Sequence, residues 1–187
     1  MTRILCTGRP GHGGIARCLD ERYSDIHFVS KSLNLDLNRE SDYEEFLDTV
    51  KHYDVFINHA QIAYGMQERL IRDVAEVWTE GHIITIGSVL EFDEFAWVDP
   101  VTHREKLDIR NTSLHYASEK IKTTHLITSG FQRHGPEEDV KIDPQKIVDT
   151  IDWILQVDVD IPLIFVDTIN DARYQRWRSL RPQADDT

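Results

Sequence analysis

Short apolar runs separated by longer amphipathic segments dominate this chain. The runs are too short for helices and most of them end in glycine or polar residues, so we predict that they are buried strands. The predicted strands cover residues 3–7, 25–29, 54–58, 82–87, 140–142 and 161–166.

The segments between these runs carry apolar residues at helical spacing. Ser41 and Glu44 have the spacing of a capping box at a helix start. Asp143 followed by Pro144 is a typical beginning for the last helix. The predicted helices cover residues 13–23, 41–50, 67–79, 112–130 and 144–155.

Strands that alternate with helices predict a parallel sheet with helices packed on both faces. We therefore predict an α/β fold, a doubly wound parallel sheet of the Rossmann type in three α/β/α layers. Residues 1–170 are expected to form a single domain, and residues 171–187 a C-terminal tail. The longest irregular segment, residues 91–111, is either a lid or binding loop or a solvated surface excursion.

The composition is that of an acidic globular protein. Of the 187 residues, 21 are Lys or Arg and 33 are Asp or Glu, which gives a formal net charge of −12. Such a surface repels phosphate backbones, so we expect no nucleic-acid partner and interpret the arginines within residues 173–181 as a solvated helix face. No apolar run approaches the roughly 18 residues of a membrane helix. No signal-peptide pattern is present, so we expect a cytoplasmic protein without a membrane partner.

Cys6 and Cys18 are the only cysteines in the chain. They lie on a predicted strand and a predicted helix without metal-site spacing, so we interpret both as small core residues. The nine histidines form no metal-binding motif, so we expect no metal site.

A glycine-rich turn follows the first predicted strand. Gly8, Gly11 and Gly14 have G-x-x-G-x-x-G spacing. Residues without a Cβ let backbone N–H groups approach a pyrophosphate, and the N-terminus of the next helix adds a partial positive charge. The order of strand, turn and helix predicts a dinucleotide-binding site, although a glycine turn without a ligand would have the same spacing.

The end of the second predicted strand indicates which dinucleotide is bound. NAD sites usually place an acidic side chain there for the ribose 2′-hydroxyl. This chain has Ser30-Lys31-Ser32 instead, and a lysine between two hydroxyls suits the 2′-phosphate of NADP(H). NADP(H) is therefore favoured over NAD(H), and the alternative is an exposed lysine with no ligand role.

Tyr116 and Lys120 lie four residues apart in the predicted helix 112–130, and so on one face of it. An ammonium group beside a phenol favours the phenolate form. Tyr116 is therefore a candidate proton donor to a substrate carbonyl.

These features in this order resemble the short-chain dehydrogenase/reductase family. The matching positions span most of the chain and are Thr7-Gly8-x-x-Gly11-x-x-Gly14, Asp36, Asn58-His59-Ala60, Ser88 and Tyr116-x-x-x-Lys120. The resemblance implies hydride transfer between a nicotinamide cofactor and a small carbonyl or alcohol substrate. It also implies that Ser88 binds the substrate carbonyl, that Tyr116 transfers the proton, and that Lys120 assists Tyr116 and binds the nicotinamide ribose.

The resemblance further implies a set of cofactor-binding positions and an oligomeric state. The cofactor-binding positions are Gly8, Arg9, Gly11, His12, Gly14, Ile15, Ser30, Lys31, Asp36, Asn58, His59 and Ala60. Family members often pair through the tyrosine-bearing helix and its neighbour, so we expect a homodimer or homotetramer formed by the predicted helices 112–130 and 67–79. Trp78 and Trp97 are candidates either for that interface or for the core.

Some features depart from the family pattern. Gln61 is bulkier than the glycine common at its position, and the segment before Asp143 that commonly builds the substrate pocket is nearly absent. The glycine spacing and the long interval from Ser88 to Tyr116 look like the extended branch of the family. Two alternatives therefore stay open: a non-catalytic dinucleotide-binding regulatory module, and a nucleotide-sugar-modifying enzyme.

Overall fold

A six-stranded parallel sheet forms the centre of the computed structural model, which describes residues 2–12, 14–92, 100–117, 121–128, 142–157 and 159–166. Its strands lie in the order β2-β1-β3-β4-β5-β6, and every neighbouring pair is parallel. The strands are β1 (Ile4–Thr7), β2 (Ile26–Val29), β3 (Val55–Asn58), β4 (Gly81–Ser88), β5 (Ile121–Thr128) and β6 (Leu163–Val166).

Helices cover both faces of this sheet. They are α1 (Gly14–Arg22), α2 (Glu40–Val50), α3 (Met66–Val77), α4 (Pro100–His115) and α5 (Pro144–Gln156), with short 3₁₀ turns at Pro10–His12 and Val89–Glu91. The first and last of these helices share one apolar core with the sheet, and the other three share the core on the opposite face. The predicted three-layer α/β/α fold with a doubly wound parallel sheet is therefore confirmed.

Successive residues of a strand place their side chains alternately in the two cores. On β3, Phe56 lies in the core under α2 and α3, while Ile57 lies in the core under α1 and α5. Cys6 and Cys18 are buried in this second core, and burial raises the pKa of both thiols. The interpretation of both cysteines as core residues is confirmed.

Helix starts were predicted with mixed success. Asp143 precedes α5 as expected, and its carboxylate accepts a hydrogen bond from the Gln145 backbone N–H at 3.0 Å. The prediction of a capping box at Ser41 is wrong, because α2 begins at Glu40 and Ser41 therefore lies inside the helix. The Ser41 hydroxyl lies within the first turn and donates to Asp42 at 3.1 Å.

The predicted helix 112–130 is wrong beyond residue 115. Helix α4 ends at His115, and β5 then pairs with β4 over its whole length. The physical reason is the sequence of β5, Ile-Lys-Thr-Thr-His-Leu-Ile-Thr, in which β-branched residues favour a strand. The fifth strand was predicted at residues 140–142, but β5 lies at Ile121–Thr128. Ile142 forms an isolated bridge, and residues 140–141 lie outside the described part.

The predicted irregular segment 91–111 is also wrong, because α4 begins at Pro100. Helix α4 buries five side chains, and all of them except Ile109 are polar or charged: His103, Glu105, Lys106, Ile109 and Ser113. A search for apolar residues at helical spacing cannot detect such a face. The buried polar residues indicate that this helix lines a site as well as a core.

Two further expectations change with these boundaries. Residues 129–143 connect β5 to α5. The expectation that the pocket-building segment before Asp143 is nearly absent is therefore wrong. Residues 129–141 of this connection lie outside the described part. The proposed oligomer interface loses the helix 112–130. Trp78 belongs to the core, where its indole N–H donates to the Val50 carbonyl at 2.8 Å, and Trp97 lies outside the described residues.

Among the described helices, none has the length and apolar character needed to cross a membrane.

Candidate functional site

The order of the strands places a crevice between β1 and β3. The chain leaves β1 toward β2 on one side, and the later strands build outward from β3 on the other side. Ligands of open α/β sheets bind in such crevices, at the carboxyl ends of the strands where the order reverses. The glycine turn after β1 and residues 59–60 after β3 both lie at this edge.

The glycine turn has the geometry of a phosphate cradle. Gly8 and Gly14 have positive φ angles of 134° and 64°, which only glycine adopts readily. A Cβ at Gly8 would lie 3.1 Å from His59 Nδ1, so the turn packs closely against the residues after β3. A Cβ at Gly11 would have no atom within 4 Å, so the backbone there is open to a ligand. The turn therefore fits a dinucleotide pyrophosphate.

Thr7 joins the two sides of the crevice. Its buried hydroxyl oxygen accepts hydrogen bonds from the backbone N–H groups of His59 and Ala60, both at 3.0 Å. These bonds fix the turn after β3 against the end of β1. The predicted cofactor-binding residues at positions 8, 59 and 60 are thus brought together.

The other predicted residues of the turn occupy different environments. Arg9 is exposed, whereas Ile15 is fully buried in the core. Gly11 and His12 form the 3₁₀ turn that precedes α1, and Gly14 is the first residue of that helix. A ligand would meet the backbone of this segment and the side chain of Arg9.

The residues after β2 form a small polar cluster. The Lys31 ammonium lies 3.0 Å from the Asp36 carboxylate, and the Ser30 and Ser32 hydroxyls are 3.3 Å apart. The hydrogen bond from Lys31 holds the pKa of Asp36 below its ordinary value, although burial opposes this effect. Lys31 is largely exposed and can turn toward an incoming phosphate.

Asn58 is buried and forms a hydrogen bond to the start of α3. Its side-chain amide donates to the Gln67 carbonyl at 2.8 Å, and the Gln67 side chain accepts from the Lys106 ammonium at 2.8 Å. This chain of contacts links the end of β3 to α3 and α4. Asn58 therefore supports Gln67 and Lys106, and its role in cofactor binding stays a prediction.

Lys106 is a candidate functional residue that sequence reasoning missed. It is 8% exposed on the second turn of α4, at the same edge of the sheet as the glycine turn. Burial lowers the pKa of its ammonium, and the nearby carboxylates of Glu105 and Glu91 partly oppose this change. A buried lysine whose pKa is lowered by desolvation is a candidate catalytic group.

Ser88 ends β4 at this edge, as predicted. Its hydroxyl oxygen accepts from the Leu90 N–H at 3.3 Å, and its own N–H donates to the Glu91 carboxylate at 2.8 Å. Accepting a hydrogen bond leaves the hydroxyl proton able to be donated to a ligand. The next helix, α4, holds His103 against this turn through a hydrogen bond of 2.8 Å to the Leu90 carbonyl.

The structure does not bring Tyr116 to this site. Tyr116 follows the end of α4, on the approach to the amino end of β5, whereas Ser88 pairs with Thr128 at the carboxyl end. The length of β4 implies a separation of roughly 20 Å along the sheet. Lys120 lies outside the described residues, and helix α4 ends at His115, before Tyr116. The interval from Ser88 to Tyr116 therefore no longer supports a nucleotide-sugar enzyme.

The helix after the Ser88 strand offers a different pair with the same spacing. Thr102 and Lys106 lie four residues apart on α4, which contains no tyrosine. Thr102 and Lys106 thus have the i,i+4 spacing of the Tyr-x-x-x-Lys pattern, with threonine in place of tyrosine. Had α4 been recognised as a helix, this spacing could have identified Lys106 from the sequence.

Gln61 is held toward α4. Its side-chain amide lies 3.4 Å from the Glu105 carboxylate, which also accepts from the Gly65 N–H at 3.0 Å. The bulk of Gln61 is therefore accommodated by a contact with the neighbouring helix.

Comparison with known proteins identifies similar structures. No protein-family model and no curated protein matches the sequence. Among solved structures, a bulky-bulky ketone specific alcohol dehydrogenase from Comamonas testosteroni matches with a TM-score of 0.70 at 15% identity, over 100% of this chain and 97% of the other.

Two further matches contain a bound nucleotide. A short chain dehydrogenase from Burkholderia cenocepacia in complex with NADP has a TM-score of 0.65 at 13% identity, over 97% of this chain and 98% of the other. An alcohol dehydrogenase from Thermococcus sibiricus complexed with 5-hydroxy-NADP has a TM-score of 0.66 at 12% identity, over 89% and 96%. At these identities the likeness shows that the fold is shared.

Proposed function

We propose that this protein is an NADP(H)-dependent oxidoreductase of the short-chain dehydrogenase/reductase type, acting on a small carbonyl or alcohol substrate. The observation that carries the proposal is the meeting of three features at one edge of the sheet: the glycine turn, Ser88 and the buried Lys106. The shared fold with structures that bind NADP supports it.

The cofactor would lie across the crevice between β1 and β3. Backbone N–H groups near Gly8 and Gly11 and the N-terminus of α1 would hold its pyrophosphate. Lys31 with Ser30 and Ser32 would hold the 2′-phosphate. When bound, the nicotinamide supplies the hydride chemistry.

Ser88 and Lys106 would act on the substrate oxygen. A reduced carbonyl develops negative charge on its oxygen, which a hydroxyl donor placed in advance stabilises. Ser88 supplies this donor. Lys106 supplies a buried positive charge and, because its pKa is lowered, a proton for the resulting alkoxide. Tyr116 and Lys120 have no part in this proposal.

Turnover on a panel of small ketones and aldehydes tests the proposal, with NADPH oxidation followed by absorbance. We expect measurable turnover by the wild-type protein that is abolished in a Ser88→Ala and Lys106→Met double variant. Binding of NADPH without turnover of any member of the panel would contradict the enzymatic part of the proposal.

A second candidate function is a non-catalytic dinucleotide-binding module. The observation that favours it is Thr102 at the position where the family pattern has tyrosine, on a helix without any tyrosine. Such a module binds NADPH with a change in stability or partner affinity and performs no hydride transfer. A homodimer or homotetramer stays a prediction under either function.

A further inference from the structure

Glu91 is a buried carboxylate beside Ser88. It is 1% exposed in the turn that follows β4. Its Oε1 accepts from the Ser88 N–H at 2.8 Å and lies 2.8 Å from His125 Nε2, which is also 3.0 Å from Oε2. Arg110 Nε on α4 lies 3.9 Å from Oε2. The carboxylate therefore joins β4, β5 and α4.

A buried carboxylate is stable only when it is paired and hydrogen-bonded. The fully buried His125 and the Arg110 guanidinium provide these partners for Glu91. The pair also packs directly on Gly87, where a Cβ would clash with Glu91 Oε1 and His125 Nε2. The carboxylate is thus fixed by contacts on several sides.

This fixed carboxylate determines the conformation of Ser88. The Ser88 N–H donates to Glu91, while the Ser88 hydroxyl oxygen accepts from the Leu90 N–H, so backbone and side chain are both held. A capping box of this kind usually stabilises an exposed helix end. Here it is buried and is supported by a histidine from the neighbouring strand.

We propose that Glu91, held by His125, is a positioning residue for Ser88. The inference rests on the proposed function, because it concerns the placement of the hydroxyl that binds the substrate oxygen. Glu91 acts through the Ser88 backbone N–H, which donates to its carboxylate. A loss of this support displaces the Ser88 hydroxyl, and a displacement of about 1 Å can cost up to 100-fold in rate.

Two substitutions of Glu91 distinguish positioning from direct proton transfer. Glu91→Gln keeps an acceptor for the Ser88 N–H, and we expect kcat/KM within about threefold of wild type. Glu91→Leu removes the acceptor, and we expect a loss of about 10- to 100-fold with an unchanged dissociation constant for NADPH. Equal losses in both variants, or no loss in Glu91→Leu, would overturn the proposal. Asp73→Asn, which removes a carboxylate on α3 that bonds Tyr43, is the control.

His125→Asn provides a second variant if Glu91→Leu does not fold. It removes a partner that lies 2.8 Å from the carboxylate and leaves Glu91 itself, so we expect an intermediate loss of kcat/KM, about 3- to 10-fold. An unchanged kcat/KM in this variant would contradict a role for His125 in holding Glu91.

Amide hydrogen exchange at Ser88 separates this inference from the proposed function. Exchange should be slow in the wild type and at least about tenfold faster in Glu91→Leu or His125→Asn, because the buried acceptor is lost or loosened. Unchanged exchange in both variants would overturn the inference. If the wild type shows no turnover, the proposed function fails, and the exchange rates still decide whether Glu91 holds Ser88.

Discussion

At Lys106 a charged group is kept in the interior by a hydrogen bond of 2.8 Å to Gln67 and by two nearby carboxylates. The neighbours of a buried lysine decide whether its proton can be given up at neutral pH. The proposed chemistry uses this property at the carboxyl edge of the sheet.

Replacing Lys106 by methionine removes the charge and keeps most of the side-chain volume. We expect kcat to fall by about 100-fold or more, because both charge stabilisation and proton donation are lost. The measurement is steady-state turnover of NADPH with a carbonyl substrate. Lys122→Met, which removes a lysine near the amino end of β5, is the matched control, and an equal loss in the two variants would contradict the role of Lys106.

Tyr116→Phe tests whether the site lies at the carboxyl edge of the sheet rather than at the amino edge. Because Tyr116 lies near the amino edge, packed against His115 with ring centroids 5.2 Å apart, we expect kcat and KM within about twofold of wild type. A loss of 100-fold in the same turnover assay would restore Tyr116 as the proton donor and overturn the present assignment.

The residues of the glycine turn could be predicted because their signal is local. Gly8, Gly11 and Gly14 mark a backbone conformation, and spacing alone reveals it. The proposed proton donor could not be predicted in the same way. Lys106 is four residues after a threonine, so a search for Tyr-x-x-x-Lys finds Tyr116 and Lys120 and passes over it.

At the scale of elements, predictions succeeded where the buried face is apolar. The strands β1 and β3 and the helix α3 were found to within two residues of their ends, because isoleucine, leucine and valine mark their inner faces. Helix α4 buries lysine, glutamate and histidine instead. Its neighbour β5 was mistaken for a helix because its threonines hide the apolar alternation.

Strand β4 carries a histidine that makes the stability of the fold depend on pH. The His82 Nε2–H donates to the Thr124 hydroxyl oxygen at 2.9 Å, since that hydroxyl donates to the Ile161 carbonyl. Burial, assisted by the charge of Lys122 and opposed by Asp160, lowers the pKa of His82 to about 4. The unfolded chain therefore binds a proton in a range where the folded protein does not.

The free energy of unfolding should fall as the pH falls from about 6.5 to about 4, with His82 contributing roughly 3 kcal/mol to the total change. Urea unfolding at a series of pH values measures it. His82→Gln keeps a donor for Thr124 and cannot titrate, so its curve should be flatter in this range. Parallel curves for the two proteins would contradict the contribution of His82.

At the scale of the whole molecule, the proposed site for a phosphate-rich ligand lies on an acidic protein with a formal net charge of −12. The proposed binding must therefore depend on local donors, since the overall field repels such a ligand. The backbone N–H groups of the glycine turn and the Lys31 ammonium provide them, both at the carboxyl edge that the strand order creates.

Lys31→Ala should weaken NADPH binding by about tenfold and leave NADH binding within twofold, because only NADPH carries the 2′-phosphate. Fluorescence titration with both nucleotides provides the comparison. Arg17→Ala removes an exposed charge on α1 that pairs with Glu21 and controls for the change in net charge. Equal effects on both nucleotides would mean that Lys31 does not bind the 2′-phosphate.

Calorimetric titration of the wild-type protein with NADPH and then NADH tests the central claim most directly. We expect NADPH to bind with a dissociation constant of about micromolar order and NADH to bind at least about tenfold more weakly. Absence of binding by both nucleotides would contradict the account, because the glycine turn at the crevice between β1 and β3 would then be structural only.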